Sequence, residues 1–270
     1  MSFITTNHQG GIGNVMFKLS ASISLSIDNN VDYIFSNEFL RPISNECPKA
    51  GFDPDYSIYN DNLLRNLKFI DKLPEPYRTH KEPNNFRYSP IHYNEGENLL
   101  LHGYFQSEKY FLKNKKHIID LFKPTEKIKS HILSEIPNIQ NSISIHVRRG
   151  DYLLSPQYHP QLPLNYYISA INLLGPDKHY TIFSDDLVGC ENLFNELSNK
   201  KIISLGKDYL ELYAMSMCEH NIICNSTFGW WGAYLNENKE KKVIGPKLWF
   251  GPASSHLDSS DILPDNWIKI

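Results

Sequence analysis

From residue 142 onward, short apolar runs alternate with helical stretches at a nearly even interval, and this rhythm limits the fold more than any other feature. The strand candidates are SISIHV (142–147), HYTIFSDD (179–186), KIISL (201–205), NIICN (221–225) and KKVIG (241–245). Between them, residues 164–174, 191–198, 208–218 and 227–237 space their apolar side chains as amphipathic helices do. Strands separated by helices join side by side in one direction through right-handed crossovers, so the pattern predicts an α/β fold with a parallel sheet.

The N-terminal half repeats the theme less regularly. FITT (3–6) reads as a strand running into the glycine-rich NHQGGIGNVMF, after which Ile12, Met16, Leu19, Ile23 and Ile27 recur at helical spacing. VDYIF (31–35) and NLLLHGYF (98–105) read as further strands, whereas residues 41–98, rich in proline, asparagine and charge, predict loops and short helices. Next comes a helix with Tyr110, Phe111, Ile118, Ile119 and Phe122 on its apolar side, and then another over 126–136. The polar stretch from Pro137 marks the expected boundary between two Rossmann-like halves, residues 1–138 and 139–270.

Composition removes several classes of partner. A 270-residue chain can bury about 70–75% of its unfolded surface. The net charge of −3 argues against nucleic acid or an anionic membrane as the main partner. No apolar run approaches the ~20 residues of a membrane span, so no integral membrane segment is expected. MSFITTNHQGGIG lacks the pattern of a signal peptide. Cys47, Cys190, Cys218 and Cys224 form no CxxC pair and are expected as reduced thiols of a cytoplasmic protein.

Three strands of the second half end in polar clusters, where an open parallel sheet binds its ligands. SISIHV runs into Arg148-Arg149-Gly150-Asp151, with His146 and Arg148 sharing one side of the strand. A guanidinium at such a rim suits two-point recognition of phosphate or carboxylate, and the plain alternative is a surface salt bridge. YTIF runs into Ser184-Asp185-Asp186, a pair suited to hydrogen-bonding a base or ribose or to forming a solvated loop. Two adjacent carboxylates without further His or Glu are too few for a metal, so no metal ion is expected. NIIC runs into Asn225-Ser226-Thr227 and an apolar helix from Phe228, which reads as a helix cap and as an anion site. Trp230 and Trp231 read as core. In the first half, Gly11-x-Gly13 is followed by Met16 where a dinucleotide fingerprint needs glycine or alanine, which speaks against a dehydrogenase. Those glycines still let backbone approach a ligand closely, with Asn14 facing the same gap.

Taken together, GGIGNVMF, GYFQSEKYF (103–111), HVRRGDY (146–152), FSDD (183–186), CEHNIICNSTFGWWGAYL (218–235) and LPDNWIKI at the C-terminus occur in the order of a known family. The chain resembles the α-1,2-fucosyltransferases of glycosyltransferase family 11, with Val15 where that family has Gln and Gly229 where Ser is common. The resemblance implies a GT-B-type fold, two Rossmann-like halves facing across a cleft, with the acceptor side in 1–138 and the GDP-fucose side in 139–270. It implies metal-independent, inverting transfer of L-fucose to O2 of a terminal β-galactoside, on an oligosaccharide or glycolipid that is soluble or lipid-linked at a membrane. Arg148 would hold the diphosphate, His146 the nucleoside, Asp185 or Asp186 the guanine edge, and Ser226, Thr227 and Phe228 the phosphate, with Arg149 and Asn225 placed among the donor-binding residues. Asp151 is the first candidate for a base, with His8 and Glu108 behind it, and Asn14 is placed with the catalytic groups although it cannot take a proton. The alternatives are transfer of another nucleotide-activated sugar, or a glycan- or nucleotide-binding protein without activity.

Overall fold

The computed structural model describes residues 2–7, 10–39, 56–84 and 86–270. The chain divides into two compact units. The first holds the described residues up to Lys123 and takes back Leu257–Pro264; the second holds Pro124–His256 and Asp265–Ile270.

The first unit starts with β1 (Phe3–Thr6), α1 (Ile12–Asn29), β2 (Asp32–Tyr33) and β3 (Phe35–Ser36). It continues with β4 (Phe69–Ile70), β5 (Arg78–Lys81), β6 (Leu99–His102) and α2 (Lys115–Phe122). Four strands form one parallel sheet in the order β2-β1-β6-β5, and β3 pairs separately with β4. VDYIF is therefore two strands in two sheets rather than one. NLLLHGYF is a strand only to His102, where Gly103 begins a turn. Strands β4 and β5 lie where loops and short helices are expected; the edge strand RTHK has no apolar alternation to betray it. The helix expected around Tyr110 and Phe111 begins as 3₁₀ turns at Glu108–Tyr110 and Leu112–Asn114, and only Lys115–Phe122 is α-helical.

Helix α1 is buried on almost every side. Its serines manage this by bonding backward along the helix, Ser20 Oγ to Met16 O at 2.7 Å and Ser22 Oγ to Lys18 O at 3.1 Å. It ends on Asn30 in the left-handed region (φ 54°).

The second unit comprises α3 (Glu126–Glu135), β7 (Ser142–Val147), α4 (Leu164–Leu174), β8 (His179–Ser184) and α5 (Leu187–Leu193). After these come β9 (Lys200–Ile203), α6 (Asp208–Ser216), β10 (His220–Ile222), α7 (Thr227–Tyr234), β11 (Val243–Gly245) and β12 (Ile268–Lys269). The six strands are all parallel in the order β12-β11-β10-β7-β8-β9. The chain winds outward from β7 through β8 to β9, then returns to the other side of β7 with β10. That reversal is a topological switch point, where a crevice opens beyond the strand ends. Helix α3 packs against α6 and belongs to this unit, so the division precedes it at Pro124 instead of following Pro137.

Strand β7 is buried on both faces. Ile143, Ile145 and Val147 pack with Tyr166, Tyr167, Ala170 and Ile171 of α4. The opposite face carries Ser142, Ser144 and His146, and its polar groups find partners inside the protein: Ser142 Oγ with Thr181 Oγ1 at 2.7 Å, and Ser144 Oγ accepting from Asn221 Nδ2 at 2.7 Å. Asn221 Oδ1 in turn accepts from Asn236 Nδ2 at 2.9 Å. Trp230 and Trp231 are fully buried, as core residues.

Candidate functional site

The switch point brings the ends of β7, β8 and β10 together within the second unit. Arg148 leaves β7 and is held from two sides: its Nε donates to Asp151 Oδ1 at 2.8 Å, and its Nη1 lies 3.1 Å from Asp185 Oδ2. Burial alone would lower the pKa of this guanidinium, but the carboxylates of Asp185 and Asp151 outweigh it and the net shift is upward. Arg149 is aimed equally firmly, with Nε donating to Asp186 Oδ2 at 2.8 Å and Nη1 to Gln161 Oε1 at 3.0 Å. The backbone N–H of Arg149 donates to Asp185 Oδ1 at 2.9 Å. Asp186 also caps α5, accepting from Gly189 N at 2.8 Å, and the Arg149 bond followed by this cap keeps its carboxyl below the usual range. The FSDD carboxylates, read in the sequence as a base contact, are thus the groups that orient both arginines.

Two glycines make this packing possible. A Cβ at Gly150 would stand 2.6 Å from Asp185 Oδ2, and one at Gly189 would stand 2.0 Å from Asp186 Oδ2 and 2.8 Å from Arg149 Nε.

His146 is buried at the same strand end, its Nδ1 3.2 Å from Cys224 Sγ and its ring 5.5 Å from that of Phe228. Burial is the main cause that brings its pKa down to about 4, so the ring is neutral at physiological pH. Burial likewise raises the Cys224 thiol to about 12. The His146 ring occupies the space where a side chain at 229 would start: a Cβ on Gly229 would lie 2.4 Å from its Nδ1. Gly229 is therefore tied to the histidine, although Ser is common there in the family the sequence resembles.

Helix α7 begins beside these groups. Ser226 is its N-cap, but its side chain makes no capping bond, so the capping alternative does not account for the residue. Thr227 and Phe228 form the first turn, whose N–H groups and positive dipole end favour an anion. Asn225 is fixed from below, its Nδ2 donating to Pro160 O and Trp249 O, both at 3.1 Å. Tyr152 links the two strand ends: its hydroxyl donates to Asn225 O at 2.9 Å while Arg148 lies 6.0 Å over its ring.

In the first unit the glycine-rich turn forms the start of α1. Gly11 is the N-cap in extended backbone and Gly13 is buried in the first turn. The position that requires glycine is Gly10, at φ 102°. Asn14 accepts at Oδ1 from Gln106 Nε2 at 2.9 Å. Glu108 lies 3.6 Å from Lys115 Nζ, and His8 lies outside the described residues, as does Cys47. Cys190, Cys218 and Cys224 are buried free thiols.

The structure therefore gathers His146, Arg148, Arg149, Asp151, Asp185, Asp186 and residues 225–228 in one unit, and Gly11, Gly13 and Asn14 in the other. Sequence reasoning gave no role to Gly150 and Tyr152, which stand inside HVRRGDY, and passed over Gln161 and Gly189. Only the adjacency of Gly150 and Tyr152 to the arginines hinted at two of them. Among the described residues no helix is long and apolar enough to cross a membrane, and no group of three or more His, Cys, Asp or Glu side chains is placed to hold a metal ion.

The chain is similar to known proteins along its whole length. A family model described as glycosyl transferase family 11 matches residues 1–270. The chain is 28% identical to an alpha-1,2-colitosyltransferase of Escherichia coli, covering 100% of this chain and 99% of that protein. It is 26% identical to a putative galactoside 2-alpha-L-fucosyltransferase of Caenorhabditis elegans, over 96% of this chain and 76% of the other. Among solved structures, the fucosyltransferase NodZ from Bradyrhizobium superposes with a TM-score of 0.51 at 11% identity, covering 86% of this chain and 92% of NodZ. At that identity the likeness concerns the fold, which is α/β of the GT-B type.

Proposed function

The chain belongs to glycosyltransferase family 11, and from that premise we propose that it transfers L-fucose from GDP-fucose to O2 of a terminal β-galactoside, with inversion and without a metal ion. The observation that carries this reading is the convergence of two oriented arginines and the start of α7 on the switch point of one parallel sheet. Breaking the bond between sugar and phosphate builds positive charge on the sugar and negative charge on the departing diphosphate. Preformed guanidinium groups and helix N–H donors stabilise that negative charge without reorganising during the reaction. Asp151 and Asp185 keep Arg148 in place before the nucleotide arrives.

The same contacts define what the carboxylates do. Each oxygen of Asp185 and Asp186 already faces a donor or cation of the protein, so any contact with guanine uses the remaining lone pairs. Asp151 holds Arg148 through Oδ1, which leaves its Oδ2 to take the acceptor proton if a base is needed. The neutral ring of His146 suits the nucleoside better than the phosphates.

A second reading, transfer of colitose, is favoured by the end-to-end similarity to the colitosyltransferase. Colitose is L-fucose without its 3-hydroxyl, so one site design serves either sugar. GDP release measured with GDP-fucose and GDP-colitose across a panel of galactosides, with product linkage read by NMR, decides the matter. An α-1,2 product with one of these donors, formed at full rate in EDTA, is the expected result. A strict need for Mn²⁺ or Mg²⁺, or transfer only from a UDP-sugar, would overturn it.

A further inference from the structure

The rim of the second unit continues past the arginines to a carboxylate on α6. Strand β9 lies beside β8 in parallel register, Ile203 opposite Phe183, so the turn over 204–207 stands next to Ser184, Asp185 and Asp186. Glu211, in the first turn of α6, reaches back to that turn. Its Oε1 accepts from Leu205 N at 3.1 Å and from Ser204 Oγ at 3.2 Å. Its Oε2 has no hydrogen-bond partner and no cation among the described residues. Asp151, Asp185 and Asp186 each meet an arginine instead. Glu211 is therefore short of donors. Burial raises its pKa, the bonds from Leu205 and Ser204 oppose that rise, and the charges of Asp208 and Asp185 add to it.

The neighbouring surface is apolar and open. Leu187 and Val188, the first residues of α5 after Asp186, are exposed, Val188 to 75%, and α5 packs beside β9. Gly206 takes φ 69°, and a Cβ there would meet no atom within 4 Å. A flat ring, apolar on its faces and carrying N–H donors on one edge, matches apolar side chains set beside an unengaged carboxylate oxygen. The strand ends follow one another as β10, β7, β8 and β9. A diphosphate held at Arg148 and the start of α7 occupies the first two, which leaves β8 and β9 for the base. On the other side, the stretch after β11, residues 246–251, offers no carboxylate.

We propose that Glu211 determines which base the donor carries: its Oε2 accepts the N–H donors of a guanine lying beside α5 and the 204–207 turn. The proposal rests on the transfer reading above and deepens it. It takes the guanine edge from Asp185 and Asp186, whose carboxylates hold the arginines. Guanine offers N1–H and an exocyclic amine to such an oxygen; hypoxanthine lacks the amine, and xanthine has a carbonyl in its place.

The test measures the affinities of GDP, inosine diphosphate and xanthosine diphosphate by calorimetry for wild type, Glu211→Gln and Ser204→Ala, with a thermal melt of each. Glutamine keeps an oxygen for Leu205 N and Ser204 Oγ and puts an N–H where Oε2 was, so it opposes the guanine donors and meets the xanthine carbonyl. Wild type is expected to bind GDP ~10-fold or more tightly than either analogue. Glu211→Gln is expected to lose ~10–100-fold in GDP affinity, to prefer xanthosine diphosphate, and to melt as wild type does. Ser204→Ala, which loosens the turn but leaves Oε2, is expected to keep the wild-type preference for GDP. A glutamine variant that still prefers GDP, or that loses affinity for all three nucleotides in proportion, would overturn the proposal. Equal binding of GDP and inosine diphosphate by wild type would do the same, whether or not the glutamine variant folds. Preference of the wild type for UDP would overturn the functional reading and the proposal together, whereas selective GDP binding without transfer would fail the functional reading alone.

Discussion

The two units surround their strand ends with different chemistry. In the second, two guanidinium groups and three carboxylates face one another at the rim, with a neutral histidine sunk beside them. In the first, the described groups around the glycine turn include the amides of Asn14 and Gln106 and the Tyr56 hydroxyl, which donates to Gly10 O, and the charged pair Lys18 and Glu82 is buried behind the turn. A charged rim meets an anion and must be held rigid by counter-charges before the anion arrives. The contrast teaches that one parallel-sheet plan, used twice, can end in a charged rim in one unit and a mostly neutral polar rim in the other.

The contrast breaks most sharply at Arg148. Replacing it with alanine is expected to cost ~10²–10³ in turnover or more, with the circular-dichroism melt showing a retained fold. Lysine in its place should recover little, because a point charge cannot meet Asp151, Asp185 and a diphosphate at once. Near-normal GDP release by the alanine variant would mean that the second unit's charges are structural only.

Gly229→Ala comes next. Its methyl group must displace the His146 ring, so about 1–3 kcal/mol of stability is expected to be lost with a matching fall in GDP affinity. A thermal melt and calorimetry measure both, and an unaffected melt would show that the ring moves without cost.

Acid should act on the second unit through the same histidine. Its folded pKa of about 4 lies below the ordinary value of 6.5, so the buried neutral ring contributes stability in full above about pH 6.5. That contribution, at most about 3 kcal/mol, is lost as pH falls through 4. Denaturant midpoints for wild type and His146→Asn should converge over that window; parallel curves would remove His146 as the cause. The smallest expected effect is ionic. Raising salt should weaken GDP binding several-fold while leaving the KM for a neutral acceptor unchanged, and equal sensitivity of the two would erase the distinction between the rims.

How much of this was legible depends on which force set each element. The second unit could be read as far as KKVIG because β7 and β8 are long and apolar and helices alternate with the strands; β12, two residues at the sheet edge, was not expected. SISIHV alternates serine with isoleucine, which gives the strand one polar side. Here that face is buried, and Ser142, Ser144 and Asn221 are satisfied by one another's neighbours. Strand β5 stayed hidden because RTHK owes its pairing to an edge position, not to burial. The clusters of the site were visible as residue types, since Arg148, Asp185 and Ser226 follow strands. Their pairing was not, because the ion pairs of Arg148 and Arg149 with Asp185 and Asp186 depend on β7 and β8 lying side by side. Glu211 was missed for the same reason: its partners Ser204 and Leu205 join this rim only because β9 lies beside β8.

The route of the last residues has a practical outcome for anyone exchanging halves between relatives. Asp261, carried on the returning stretch Leu257–Pro264, accepts from Tyr88 N at 2.9 Å and pairs with Lys109 at 2.5 Å. Trp267, a few residues on, lies 5.3 Å from Trp230, and β12 completes the sheet beside β11. A chimera joined once, near Lys123, would give the first half a returning stretch from the wrong parent, while Trp267 and β12 would still match the second half. A graft that respects the architecture needs three junctions, so that 257–264 travels with the first half and 265–270 with the second.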